Sequence, residues 1–149
     1  MSPKALHFEV LEFGSSFQME SIALRRKILR EPLGLDFSIE ELNAEFAQIH
    51  IATIENKAVV GILLFVPTKD KSLKMRQVAV MENSQSSGIG SQLVAFSEKW
   101  AIANNYKTIE LHARKTAVNF YLKMGYQTIG HEFMEVNVPH FKMMKDLCI

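Results

Sequence analysis

The chain has a single cysteine, Cys148, among 149 residues. One thiol cannot close a disulfide within the chain or build a multi-cysteine metal site. It fits a reducing compartment, and a cytoplasmic location is the expectation. Four prolines and seven glycines are too few for a collagen-like or low-complexity chain. Charge of one sign is also missing: 17 Lys and Arg face 16 Asp and Glu, a formal net charge of +1. No broad cationic surface follows, and no nucleic-acid partner is expected. Residues 1–10 lack the apolar stretch of a signal peptide. The longest apolar run, 58–66, is broken by Gly61 and falls far short of the ~20 residues that span a bilayer, so no membrane partner is expected. What is present is an ordinary globular composition, 48% hydrophobic and 22% charged. A chain of this size buries roughly 68–70% of its unfolded surface, and one domain over 1–149 is the expectation.

Periodicity divides the chain into a helical start, a run of strands and a later crossover. Residues 6–11 read as a strand. Residues 16–29 read as a helix with Phe17, Ile22, Ala23, Leu24, Ile28 and Leu29 apolar, stopped by Pro32 and Gly34. Arg25, Arg26, Lys27 and Arg30 crowd its end and read as a solvated cationic terminus. Ser38-Ile39-Glu40-Glu41 is a capping-box pattern for a second helix to about Glu45. Residues 49–54 and 58–66, around Glu55-Asn56-Lys57, read as a hairpin whose second strand is deeply buried. Residues 73–80 continue as a strand, and Ile89, Leu93, Phe96, Trp100 and Ala103 mark a helix over 89–104. A strand follows over 108–113, with Ile109, Leu111 and Ala113 on one face and Glu110 and His112 on the other. Residues 117–124 read as a short helix closed by Gly125. Strands over 126–129 and roughly 138–147 end the chain.

Gln85-Ser86-Ser87-Gly88-Ile89-Gly90 joins a strand to a helix start. A helix N-terminus carries free N–H groups and partial positive charge, and glycines let backbone approach a bound phosphate. The stretch therefore reads as an anion site for a pyrophosphate, with no metal. It has neither a Gly-Lys-Ser/Thr end nor Gly-x-Gly-x-x-Gly spacing, which disfavours a nucleotide-binding enzyme.

This stretch resembles the acyl-CoA loop of the GNAT superfamily of N-acetyltransferases, Arg/Gln-x-x-Gly-x-Gly/Ala, at Gln85, Gly88 and Gly90. Ala117-Val118-Asn119-Phe120-Tyr121-Leu122-Lys123-Met124-Gly125-Tyr126 resembles its later signature, Ala-x-x-Phe-Tyr-x-x-x-Gly-Phe. A helix and a strand separate the two blocks, as that family requires. Leu24-Arg25-Arg26-Lys27-Ile28-Leu29-Arg30 and Val138-Pro139-His140-Phe141 look like a bacterial subgroup with Ile-Pro-His near its last strands. Here Val replaces Ile, and Asn137 stands where a Gly is expected.

The resemblance implies an α/β (α+β) GNAT fold, with a mixed, mostly antiparallel central sheet flanked by helices. It implies acetyl-CoA as co-substrate and transfer to a primary amine of a small molecule or an exposed amino group, in a ternary complex. Val78, Ala79 and Val80 would pair with the pantetheine arm, and a backbone N–H there would stabilise the oxyanion. Backbone amides of Gln85, Ser86, Ser87, Gly88, Ile89 and Gly90 would hold the pyrophosphate, with hydroxyls of Ser86, Ser87 and Ser91 as further donors. Asn119 would bond the CoA arm, and Tyr121 would protonate the leaving thiolate, as a phenol of pKa ~10 keeps its proton at neutral pH. The base that deprotonates the acceptor stays open among Glu110, His112, Glu132, Glu135 and His140. A homodimer through the last strands is a family expectation. The rival reading is an acyl-CoA sensor or partner-binding module without catalysis.

Overall fold

The computed structural model describes residues 6–147. Its elements in order are β1 (Leu6–Leu11), α1 (Ser16–Arg25), α2 (Ile39–Asn43), β2 (Ile49–Glu55), β3 (Ala58–Pro67), β4 (Ser72–Val80), α3 (Ile89–Ala103), β5 (Thr108–Arg114), α4 (Val118–Lys123), β6 (Gln127–Glu135) and β7 (Val138–Asp146). The class is mixed α/β, with seven strands in a mostly antiparallel sheet. Two compact units divide the chain: the described residues through Val66 with Gln77–Ser97, and Pro67–Arg76 with Glu98 onward.

In the first unit the strand order is β1-β2-β3-β4. Strands β2 and β3 pair antiparallel across a two-residue turn, Glu55↔Ala58. Asn56 and Lys57 both take positive φ, 51° and 65°, the backbone twist that such a short hairpin demands. Val59 to Phe65 are all buried, which explains why this strand reads as a continuous apolar run rather than an alternation. Leu24 of α1 joins Ile54, Ile62 and Leu64 in the core.

Helix α1 is shorter than its apolar spacing predicts. Ser15 caps its start, accepting from Gln18 N at 3.3 Å. After Arg25 the coil widens into a π turn, Arg26–Arg30, then a 3-10 turn, Glu31–Leu33, ending on left-handed Gly34 (φ 71°). Ile28 and Leu29 still pack on the core, so their spacing cannot separate a widened turn from a regular one. One reading is overturned. Arg25 is not part of a solvated terminus; it is wholly buried, because Glu45 receives both its guanidinium nitrogens at 2.8 and 2.7 Å. Its Nε donates to Gln77 Oε1 at 3.3 Å. The Ser38 cap stands as expected, with Ser38 Oγ accepting from Glu41 N at 3.1 Å.

In the second unit the order is β4-β5-β7-β6. Strands β4 and β5 are parallel from Ser72↔Thr108 to Met75↔Leu111. Ile109, Leu111 and Ala113 are buried and their neighbours half-buried, the alternation expected for β5. Strand β6 is nine residues long where the sequence marked only 126–129. It lies at the end of the strand order and is exposed along nearly its whole length, so it carries no apolar signal. A bulge between Ile129 and Phe133 further blurs its pattern. Val136 and Asn137 close the β6–β7 hairpin at φ 44° and 61°. Asn tolerates this left-handed geometry, which explains how it serves in place of the expected glycine.

Candidate functional site

In the first unit the glycine-bearing stretch does not open the helix directly. A 3-10 segment, Glu82–Ser87, intervenes and ends on Gly88 in left-handed conformation, φ 81° and ψ 9°. Gly88 O accepts from Gln92 N at 3.1 Å, which makes Gly88 the residue on which α3 starts. The amides of Ile89, Gly90 and Ser91 then stand in the first turn of α3. Ile89 anchors the start in the core beside Val60 and Val80. Gln85 Nε2 donates to Val80 O at 2.9 Å and ties the segment back to the end of β4. Ser91 Oγ donates to Gly88 O at 3.0 Å, a cap-like bond within the turn. The side chains of Ser86 and Ser87 lie outside the described residues, as does Cys148. The donor set, backbone amides at the start of a 15-residue helix beside a glycine with no Cβ, suits a pyrophosphate. Val78 is half-buried, and Ala79 and Val80 are buried.

In the second unit α4 follows β5 through a 3-10 turn, Lys115–Ala117. Gly125 closes it at φ 93°, with Gly125 N donating to Leu122 O at 3.0 Å. Tyr121 is buried and meets Phe120 and Tyr126 edge-on, with ring centroids 5.0 and 5.6 Å away. Burial pushes its phenol well above the ordinary tyrosine range, so it stays protonated. Asn119 is exposed on the same helix.

A buried polar group, missed by sequence reasoning, seats α4. Tyr126 O–H donates to Glu98 Oε2 at 2.9 Å, and Lys145 Nζ donates to Glu98 Oε1 at 2.9 Å and to Met124 O at 2.7 Å. Burial, then the Glu98 carboxylate, drives the Tyr126 phenol far upward, which keeps it a donor. One signal was available: Glu98 interrupts the buried face of α3 between Val94 and Ala101.

The base candidates separate into groups. His112 Nδ1 stands 2.9 Å from Glu135 Oε1, and His140 Nε2 stands 3.6 Å from Glu135 Oε2. Glu110 faces Lys142 at 3.7 Å, and Glu132 faces Lys115 at 3.1 Å. Burial works to raise Glu135; the His112 hydrogen bond, with the charges of His112, His140 and Lys74, outweighs it and holds the carboxyl below its usual range. A folded-state value below the unfolded one stabilises the protein above the unfolded pKa of 4.5, and that gain is lost as pH falls through the folded value. Glu135→Gln should therefore lower Tm near pH 7, and the gap should narrow as pH falls below 4.5. Melting curves across that range check this, and a gap that persists in acid would refute it.

Among the described residues no group of three or more His, Cys, Asp or Glu is arranged to hold a metal. No helix among them is long and apolar enough to cross a membrane.

Residues 35–147 match the family model for the acetyltransferase (GNAT) domain. The chain is 32% identical over 109 residues to a Bacillus subtilis (strain 168) protein named as the uncharacterized N-acetyltransferase YjcF, covering 72% of this chain and 76% of that protein. A crystal structure from Lactobacillus plantarum matches with a TM-score of 0.86 at 21% identity, over 97% of this chain and 99% of its own. An aminoglycoside 6'-N-acetyltransferase complexed with coenzyme A matches with a TM-score of 0.81 at 17% identity, over 96% and 98%. The chain belongs to the GNAT family of acetyltransferases, which draw an acyl group from acetyl-CoA.

Proposed function

We propose that the protein transfers acetyl from acetyl-CoA to a primary amine, by direct attack in a ternary complex. The observation that supports this is the start of α3, where left-handed Gly88 precedes the first-turn amides in a chain of this family. The pyrophosphate is held there by the amides of residues 85–90, without a metal. Val78 to Val80 pair with the pantetheine arm, Asn119 bonds it, and Tyr121 protonates the departing sulfur. The acceptor is a small molecule or an exposed amino group.

Detection of free CoA thiol tests the proposal over L-lysine, spermidine, glucosamine and a lysine-containing peptide. Release that depends on one of these amines supports it. Binding of acetyl-CoA with no product from any of them favours a sensor instead, and no heat with millimolar acetyl-CoA removes the donor altogether.

Gly88 gives a sharper check. A Cβ there meets only Gln92 Nε2 at 3.7 Å and Ser91 Oγ at 3.9 Å, which is ordinary contact. The cost of Gly88→Ala is therefore conformational, about 1–2 kcal/mol for an L-residue held left-handed. If the loop relaxes away from that geometry, CoA affinity should fall by about 5- to 30-fold, since each 1.4 kcal/mol is tenfold. Calorimetry with CoA measures it, and unchanged affinity at unchanged Tm would contradict the role of this turn.

A further inference from the structure

Building on the acetyl-transfer reading, we infer that His112 Nε2 takes the proton of the amine acceptor, with Glu135 as the positioning carboxylate that His112 shares with His140. A carboxylate only accepts, so the 2.9 Å contact with Glu135 Oε1 puts the ring hydrogen of His112 on Nδ1 and leaves Nε2 with a lone pair. The His112 side chain is 28% exposed, within reach of a solute. His140 is held differently. Its Nδ1 donates to Val138 O at 2.7 Å, its Nε2 faces Glu135 Oε2 at 3.6 Å, and its side chain is only 5% exposed. It can bias the shared carboxylate but cannot touch an acceptor. Phe133 fixes both rings, edge-on to His112 at 5.0 Å and stacked on His140 at 6.0 Å. Lys74 of β4 is the further cation acting on Glu135. Glu110 and Glu132 each already have a lysine ammonium as ion-pair partner, at 3.7 and 3.1 Å.

The reaction then balances. The acceptor arrives as an ammonium and passes one proton to His112 Nε2, and the imidazolium is stabilised by Glu135. The freed lone pair forms the C–N bond at the thioester carbonyl carbon. The C–S bond breaks, its electron pair leaves on sulfur, and the thiolate takes the Tyr121 proton. The proton left on nitrogen returns to the phenolate through solvent, and His112 discharges its own to solvent.

The test uses the full chain and whichever of spermidine, L-lysine and glucosamine the wild type acetylates fastest. His112→Gln should lower kcat/KM for that amine by about 100-fold or more. The acid limb of its pH profile should vanish while the Kd for CoA holds. Glu135→Gln should shift the acid limb to lower pH, because the imidazolium loses its counter-charge. Nitrogen-15 histidine spectra of the free protein give a readout independent of turnover and of the folding of variants. They should show His112 as the Nδ1–H tautomer. A His112→Gln enzyme with the wild-type rate and acid limb, or an Nε2–H tautomer at His112, overturns this inference and leaves acetyl transfer standing. A wild type without amine-dependent CoA release overturns both.

Discussion

Tyr121→Phe should lower kcat for amine-dependent CoA release by about 100-fold or more, with CoA affinity and Tm unchanged. A positioned general acid contributes an effect of that order, equivalent to about 2.7 kcal/mol of barrier. The change removes one oxygen and keeps the ring, and it is the ring that contacts Phe120 and Tyr126. Burial raises the Tyr121 phenol above its ordinary value, so its ionisation should not limit the rate on the alkaline side below about pH 10. Stopped-assay kinetics from pH 6 to 10 would measure both points. Full activity in the Phe variant would take Tyr121 out of the chemistry, with the thiolate protonated by solvent.

Glu45→Ala should be the most destabilising of these changes. Arg25 is 0% exposed and Glu45 is 2% exposed, and the pair is bidentate. Removing one partner strands a buried charge, at a cost of about 3–5 kcal/mol. At about 2–4 °C per kcal/mol for a chain of this length, Tm should drop by about 6–20 °C. Arg25→Met combined with Glu45→Leu should recover most of that loss, since a buried ion pair replaced by apolar side chains is often neutral. Thermal melts of the single and double variants decide the matter. A Glu45→Ala melt indistinguishable from wild type would mean that the guanidinium finds water or another acceptor. The site should feel the change too, because Arg25 Nε also reaches Gln77, held at φ 57° one residue before Val78.

Local chemistry was legible wherever its cause lies within a turn or two of chain. Ser38 caps, Gly34 and Gly125 stop helices, and Ile109, Leu111 and Ala113 alternate inward, each through neighbours a few residues away. The glycine-bearing turn before α3 and the short helix carrying Tyr121 were legible for the same reason, as short patterns between neighbouring elements. Strand β6 was not, since an exposed edge with a bulge carries no apolar alternation. Nor was the fate of Arg25: a cation at a helix end reads as solvated, and its partner lies 20 residues on.

From sequence alone came the class of the chain, the order of its elements, the glycine turn at the start of α3 and the candidate phenol. Those depend on periodicity, capping and backbone freedom, which act locally. Tertiary structure alone paired the ionisable groups: it put His112 and His140 on one carboxylate, buried Arg25 against Glu45 and seated α4 through Glu98 and Lys145. These partners are separated along the chain by up to 47 residues. Strand register and burial bring them together, and neither is written in any single stretch of sequence.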